Sequence, residues 1–123
     1  MNQPAYASPL LQRCQALSDE PSLCVRQIAD ALEAAQLCDD TVATLRRPDP
    51  ARPYGRRVLI QSDVLESMLA TWTRGVHCAP HDHGGSSGGV LVVRGTALHR
   101  RYRVVDGRLE QVLEERIPQG NVI

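Results

Sequence analysis

The segment RRPDPARP, residues 46–53, places three prolines within eight positions. Proline has no amide hydrogen and its ring collides with the preceding helical turn, so no helix runs through this stretch. It divides the 123-residue chain into an N-terminal helical segment, 1–53, and a strand-patterned segment, 54–123. At this length both segments belong to a single domain.

Upstream of the prolines the pattern is helical. Ser8 and Pro9 suit the N-cap and first position of a short helix that fades by Ser18, and Asp19-Glu20-Pro21 restarts the chain. Leu23, Ile28, Leu32 and Ala35, with flanking alanines, then follow helical spacing as far as Leu37. Thr41 to Arg47 reads as a further helical turn. Downstream come five short runs of branched or alternating apolar residues: 56–60, 66–72, 90–94, 96–105 and 108–117. Ser62-Asp63, Gly75, Gly84-Gly85 and Gly95 punctuate them, and Asp106-Gly107 is a strong hairpin signal. Helices followed by antiparallel strands give an α+β, mainly β chain built on a sandwich or barrel.

Fourteen basic residues balance fourteen acidic ones, so nothing in the charge suggests nucleic acid or an anionic membrane as partner. No apolar run approaches the roughly 20 residues of a membrane-spanning helix. The N-terminus lacks the basic and apolar regions of a signal peptide, which makes a cytoplasmic location the default. Cys14, Cys24, Cys38 and Cys78 form no CxxC pair and read as reduced, buried thiols rather than a disulfide framework. With one tryptophan, three tyrosines and no phenylalanine, the core must rely on aliphatic side chains.

Residues 75–89, GVHCAPHDHGGSSGG, carry the chemistry. If 81–83 is a strand, alternation puts His81 and His83 on one side, where both ring nitrogens reach one ion at about 2.0–2.1 Å. Two surface histidines in a loop is the plain alternative. The context adds weight to the first. Five residues separate Gly75 from His81, four separate His83 from Gly88, and six separate Gly88 from Gly95. This spacing resembles the first motif of the cupin superfamily, whose members are jelly-roll antiparallel β-barrels around a divalent metal, with glycine at 88 in place of the usual glutamate. The chain is more specifically similar to the cysteine dioxygenase family, in its bacterial arginine-type members. The shared features are YxR as Tyr54-Gly55-Arg56, a strand carrying Trp72, PHDHG as 80–84, a turn at 92–95 and an RxY-like pair ending at Tyr102. The likeness spans roughly 54–105 well and the helices loosely.

That resemblance implies an Fe(II) cofactor held by His81, His83 and a third histidine, with L-cysteine and O2 as substrates and cysteine sulfinate as product. It implies that Arg56 pairs with the substrate carboxylate and that Tyr54 supports it, in a full-length form that is a monomer. An arginine fork grips a carboxylate at two points better than lysine does, and arginine rather than glutamine at 56 favours cysteine over 3-mercaptopropionate. Without a cysteine at Gly88 there is no thioether crosslink of the animal type. Cys78 either lines the pocket or is a buried thiol, and the second is favoured because no activating charge adjoins it.

The third iron ligand is not evident. His77 is four residues from His81, roughly 13 Å along an extended chain. His99 lies on a strand beside Arg100, an awkward barrel lining, so a plain strand histidine is the favoured reading. Glu110 and Glu114 have no supporting motif. The family places its third histidine on a later strand, and RIPQGNVI, residues 116–123, resembles the approach to it. The expectation is therefore a cupin barrel left incomplete at its C-terminal end. The fallback is a degenerate or partner-completed cupin that binds metal or a small ligand without turnover.

Overall fold

The computed structural model describes residues 12, 16–17, 24–34 and 39–123. Gln12, Ala16 and Leu17 are helical. The rest of the expected first helix, the Asp19-Glu20-Pro21 restart, Cys14, Cys38 and residues 35–38 lie outside the described residues.

Helix α1 spans Val25–Ala34 and α2 spans Asp39–Leu45. Alanine and leucine favour the helical state in α1. At its start the Gln27 side-chain oxygen accepts from the Cys24 backbone N–H at 2.9 Å, the returning half of a capping box. In α2, Thr41, Val42 and Leu45 are buried. Pro48 ends the helical possibility, and Asp49 folds the next residues into a turn, its Oδ1 accepting from Ala51 N at 3.0 Å. Arg47 N donates to Thr71 Oγ1 at 3.1 Å, which ties the linker to the first sheet.

Four strands complete the chain: β1 (Tyr54–Gln61), β2 (Glu66–Trp72), β3 (Thr96–Val105) and β4 (Arg108–Pro118). They form two antiparallel two-stranded sheets, β1–β2 and β3–β4. Ser62 closes the first hairpin, its N donating to Leu65 O at 2.8 Å and its Oγ accepting from Leu65 N at 3.2 Å. Tyr54 pairs with Trp72, Arg56 with Ala70 and Val58 with Met68, and after a bulge at Leu59 Gln61 faces Glu66. Tyr54, Arg56 and Val58 thus share one sheet face with Glu66, Met68 and Trp72. Val58, Met68 and Trp72 are exposed on that face, while Leu69 on the other is buried.

The β3–β4 turn is Asp106-Gly107, with φ of 50° and 75°. Two successive left-handed residues make the tight turn that matches the twist of paired strands, and Asp-Gly is suited to it. Across this hairpin His99 pairs with Glu115, Arg100 with Glu114 and Arg103 with Glu110. Neighbouring positions 99 and 100 point to opposite faces, so charged pairs cover both sides of the ribbon.

The mainly β character with two helices agrees with the sequence reading, while the cupin barrel, expected to be incomplete at its C-terminal end, is not shown. Among the described residues no barrel closes, and the two sheets share no ladder. Residues 90–94, expected as a strand, contribute a single bridge, Leu91 to Val122. Val90 and Ile123 exchange backbone hydrogen bonds at 3.2 and 2.8 Å beside it. The glycine-serine run before Val90 supplies no apolar side chains to pack on a pleated surface, which disfavours extending the strand in that direction. Among the described residues the buried apolar side chains are Val42, Leu45, Leu69, Val92 and Ile117, spread over four segments.

Candidate metal centre

His81 and His83 lie in the long connection between β2 and β3, in a loop rather than the strand that alternation presumed. Pro80 cannot donate to a ladder. Gly84 and Gly85, at φ of 60° and 82°, turn the chain away immediately after. The loop instead satisfies itself locally. Asp82 Oδ1 accepts from Gly84 N at 3.1 Å, Ser86 N donates to His83 O at 3.1 Å, and the Ser86 hydroxyl donates to the same carbonyl. On its far side the loop rests against α1 at Gly89. A Cβ there would come within 3.1 Å of Leu32 Cδ1 and 3.3 Å of Ile28 Cγ2.

These turns bring the two imidazoles together without strand geometry. Their ring centres are 5.5 Å apart with planes tilted by 46°, and both are exposed. Two imidazoles bound side by side to one ion at about 2.0–2.1 Å have centres roughly 5 Å apart, so the spacing fits a shared metal. His81 Nδ1 lies 2.9 Å from the Ala79 carbonyl oxygen. A carbonyl can only accept, so this bond places the proton on Nδ1 and leaves the Nε2 lone pair free for a metal.

The donor set stops at two. Among the described residues no group of three His, Cys, Asp or Glu side chains could hold an ion. His77 is exposed and Cys78 is a half-buried free thiol. His99 is engaged across the hairpin, Nδ1 to Glu115 Oε1 at 3.1 Å. Around Gly88 an added Cβ would meet nothing within 4 Å.

Tyr54 and Arg56 are held together on β1. The Tyr54 ring stacks on Trp72 with centres 4.6 Å apart and planes tilted by 32°. The Arg56 guanidinium donates through Nη2 to Glu66 Oε1, and its Nε points at Met68 Sδ at 3.2 Å. Gln61 Nε2 donates to the other Glu66 oxygen at 3.1 Å. Glu66 is the residue that sequence reasoning missed. The hairpin turned at Ser62 sets Gln61 opposite Glu66, and it is the bulge at Leu59 that brings the Glu66 carboxylate to the face carrying Arg56. Compared with protein-family models, with curated proteins and with solved structures, the chain matches none.

Proposed function

We propose that this chain contributes iron-binding and substrate-binding residues to a thiol dioxygenase that converts L-cysteine and O2 to cysteine sulfinate. The paired imidazoles of the 77–89 loop carry the reading, since a proton held on His81 Nδ1 leaves Nε2 as a ready ligand. His81 and His83 would hold Fe(II), and a third donor would come from outside the described residues. Bound iron supplies Lewis acidity toward the thiol and redox chemistry toward O2. The balance is a thiol oxidised to a sulfinate, with both oxygen atoms of the reduced O2 ending on sulfur. Arg56 orients the substrate by its carboxylate, which fixes the end of the molecule opposite the reacting sulfur. The Tyr54–Trp72 stack lies on the same sheet face as Arg56.

The absence of a third donor among the described residues favours a second reading, a cupin-like module that binds metal or a small ligand without turnover. Anaerobic iron loading followed by O2 uptake separates the two. Iron binding with uptake that depends on L-cysteine supports the enzyme, and iron binding without uptake supports the module. In the enzyme, R56Q is expected to raise the KM for L-cysteine about tenfold, the loss of one charge-assisted carboxylate contact. An unchanged KM would remove Arg56 from substrate binding.

A further inference from the structure

We propose that two copies of this chain close one metal site between them, each giving His81 and His83 to a single divalent ion. The proposal rests on the reading of these two residues as metal ligands and says where the remaining donors come from. Two imidazoles are too few for a stable site, since zinc takes four protein donors in structural sites and three in catalytic ones. Within the sequence histidine occurs at 77, 81, 83 and 99. His99 is bonded to Glu115 on the β3–β4 hairpin, and among the described residues no third His, Cys, Asp or Glu joins the pair. A two-fold axis through the ion makes up the number, because it doubles whatever one copy presents.

The pair is displayed in a way that suits such a contact. Both rings are exposed, with centres 5.5 Å apart, so a second molecule reaches them without any opening of the fold. The Ala79 carbonyl holds the His81 proton on Nδ1 and leaves Nε2 as the ligand atom. At Gly84 and Gly85 an added Cβ would meet nothing within 4 Å, so the space beside His83 is open. Charge opposes the approach only weakly. From Gly75 to Gly89 the one Asp, Glu, Lys or Arg is Asp82, and a divalent ion offsets the two carboxylates brought together. Val76 and Val90, at the two ends of the loop, are 44% and 56% exposed. A contact made at the loop offers this apolar surface cover from water.

The full chain titrated with Zn(II), followed by sedimentation velocity and by counting bound metal with atomic emission, reads both mass and stoichiometry. Zinc is the probe because it has no redox chemistry of its own. The mass is expected to double, with the titration breaking at about one ion per two chains and a chelator restoring the monomer. H81A and H83A should each weaken the metal-driven association at least about tenfold, and H77A should leave it unchanged. One zinc per chain with no change in mass overturns the shared site while keeping His81 and His83 as ligands, provided H81A lowers the affinity. A dimer that forms equally well in chelator, or equally well in H83A, overturns the metal bridge. No zinc bound by the native chain overturns both the bridge and the metal reading beneath it.

Discussion

Alanine in place of His81 is expected to lower the affinity for Fe(II) by at least about a hundredfold, and alanine at His83 to do the same. Losing a residue that merely orients a ligand costs roughly tenfold to hundredfold in metal affinity, and removing the ligand itself costs no less. In the proposed site the described residues supply two imidazoles, so each substitution halves that pair. His77 provides the control. It is exposed and four residues from His81, and alanine there should leave iron binding unchanged. Because His81 and His83 are also exposed, their removal should leave thermal unfolding where it was, which separates lost ligation from lost structure. Anaerobic Fe(II) titration with a competing chromophoric chelator reads the effect. Native-like affinity in H81A would end the metal-site reading.

The second large effect is structural and falls inside the Tyr54-Gly55-Arg56 motif. A Cβ on Gly55 would stand 1.4 Å from the Arg47 carbonyl oxygen and 2.6 Å from its carbon. Both are backbone atoms, so no rotamer change relieves the overlap. G55A must push the linker off β1, putting at risk the Arg47–Thr71 bond and the burial of Leu45 just before it, or else displace the strand. Overpacking of this kind costs about 1–3 kcal/mol, or a fall of roughly 10 °C in Tm for a chain of this size. G88A, at a glycine with nothing within 4 Å, should leave Tm unchanged. Equal melting of G55A and the native protein in a calorimetric scan would show that the linker is not packed there.

This close approach marks a limit of what the sequence conveys. Tyr-Gly-Arg reads as a motif about its first and third residues, and the reason for the middle one lies eight residues upstream across a proline-rich turn. Strand positions were more legible. β2 and β3 fall on the expected 66–72 and 96–105, and β1 and β4 differ from expectation only at their ends. Their branched and alternating residues, with serine and Asp-Gly turns between them, state both period and boundary. Residues 90–94 have the same composition and form one bridge, to Val122, because the length of a ladder depends on how far its partner runs alongside and composition is silent about partners. The histidines show the reverse case. Strand alternation does not apply to them, since 81–83 is a loop, but the turns at Gly84 and Gly85 accompany rings that adjoin all the same. Glu66 escaped notice because its link to Arg56 depends on hairpin register, which a bulge at Leu59 adjusts.

The division of charge between β3 and β4 bears on how this chain meets copies of itself. β3 carries Arg100, Arg101 and Arg103, and β4 carries Glu110, Glu114 and Glu115 with Arg108 and Arg116 towards its ends. With charged residues on both faces, burial does little to choose the register, and the Asp106-Gly107 turn sets it instead. Opposite charges across a ladder stabilise by about 0.2–1 kcal/mol, and like charges directly opposite are unfavourable. A symmetric contact that laid β3 along another β3 would line arginines against arginines, whereas β4 along β4 would set like or opposite charges together according to register. Edge pairing between copies is thereby made polar. Two copies of β3 repel.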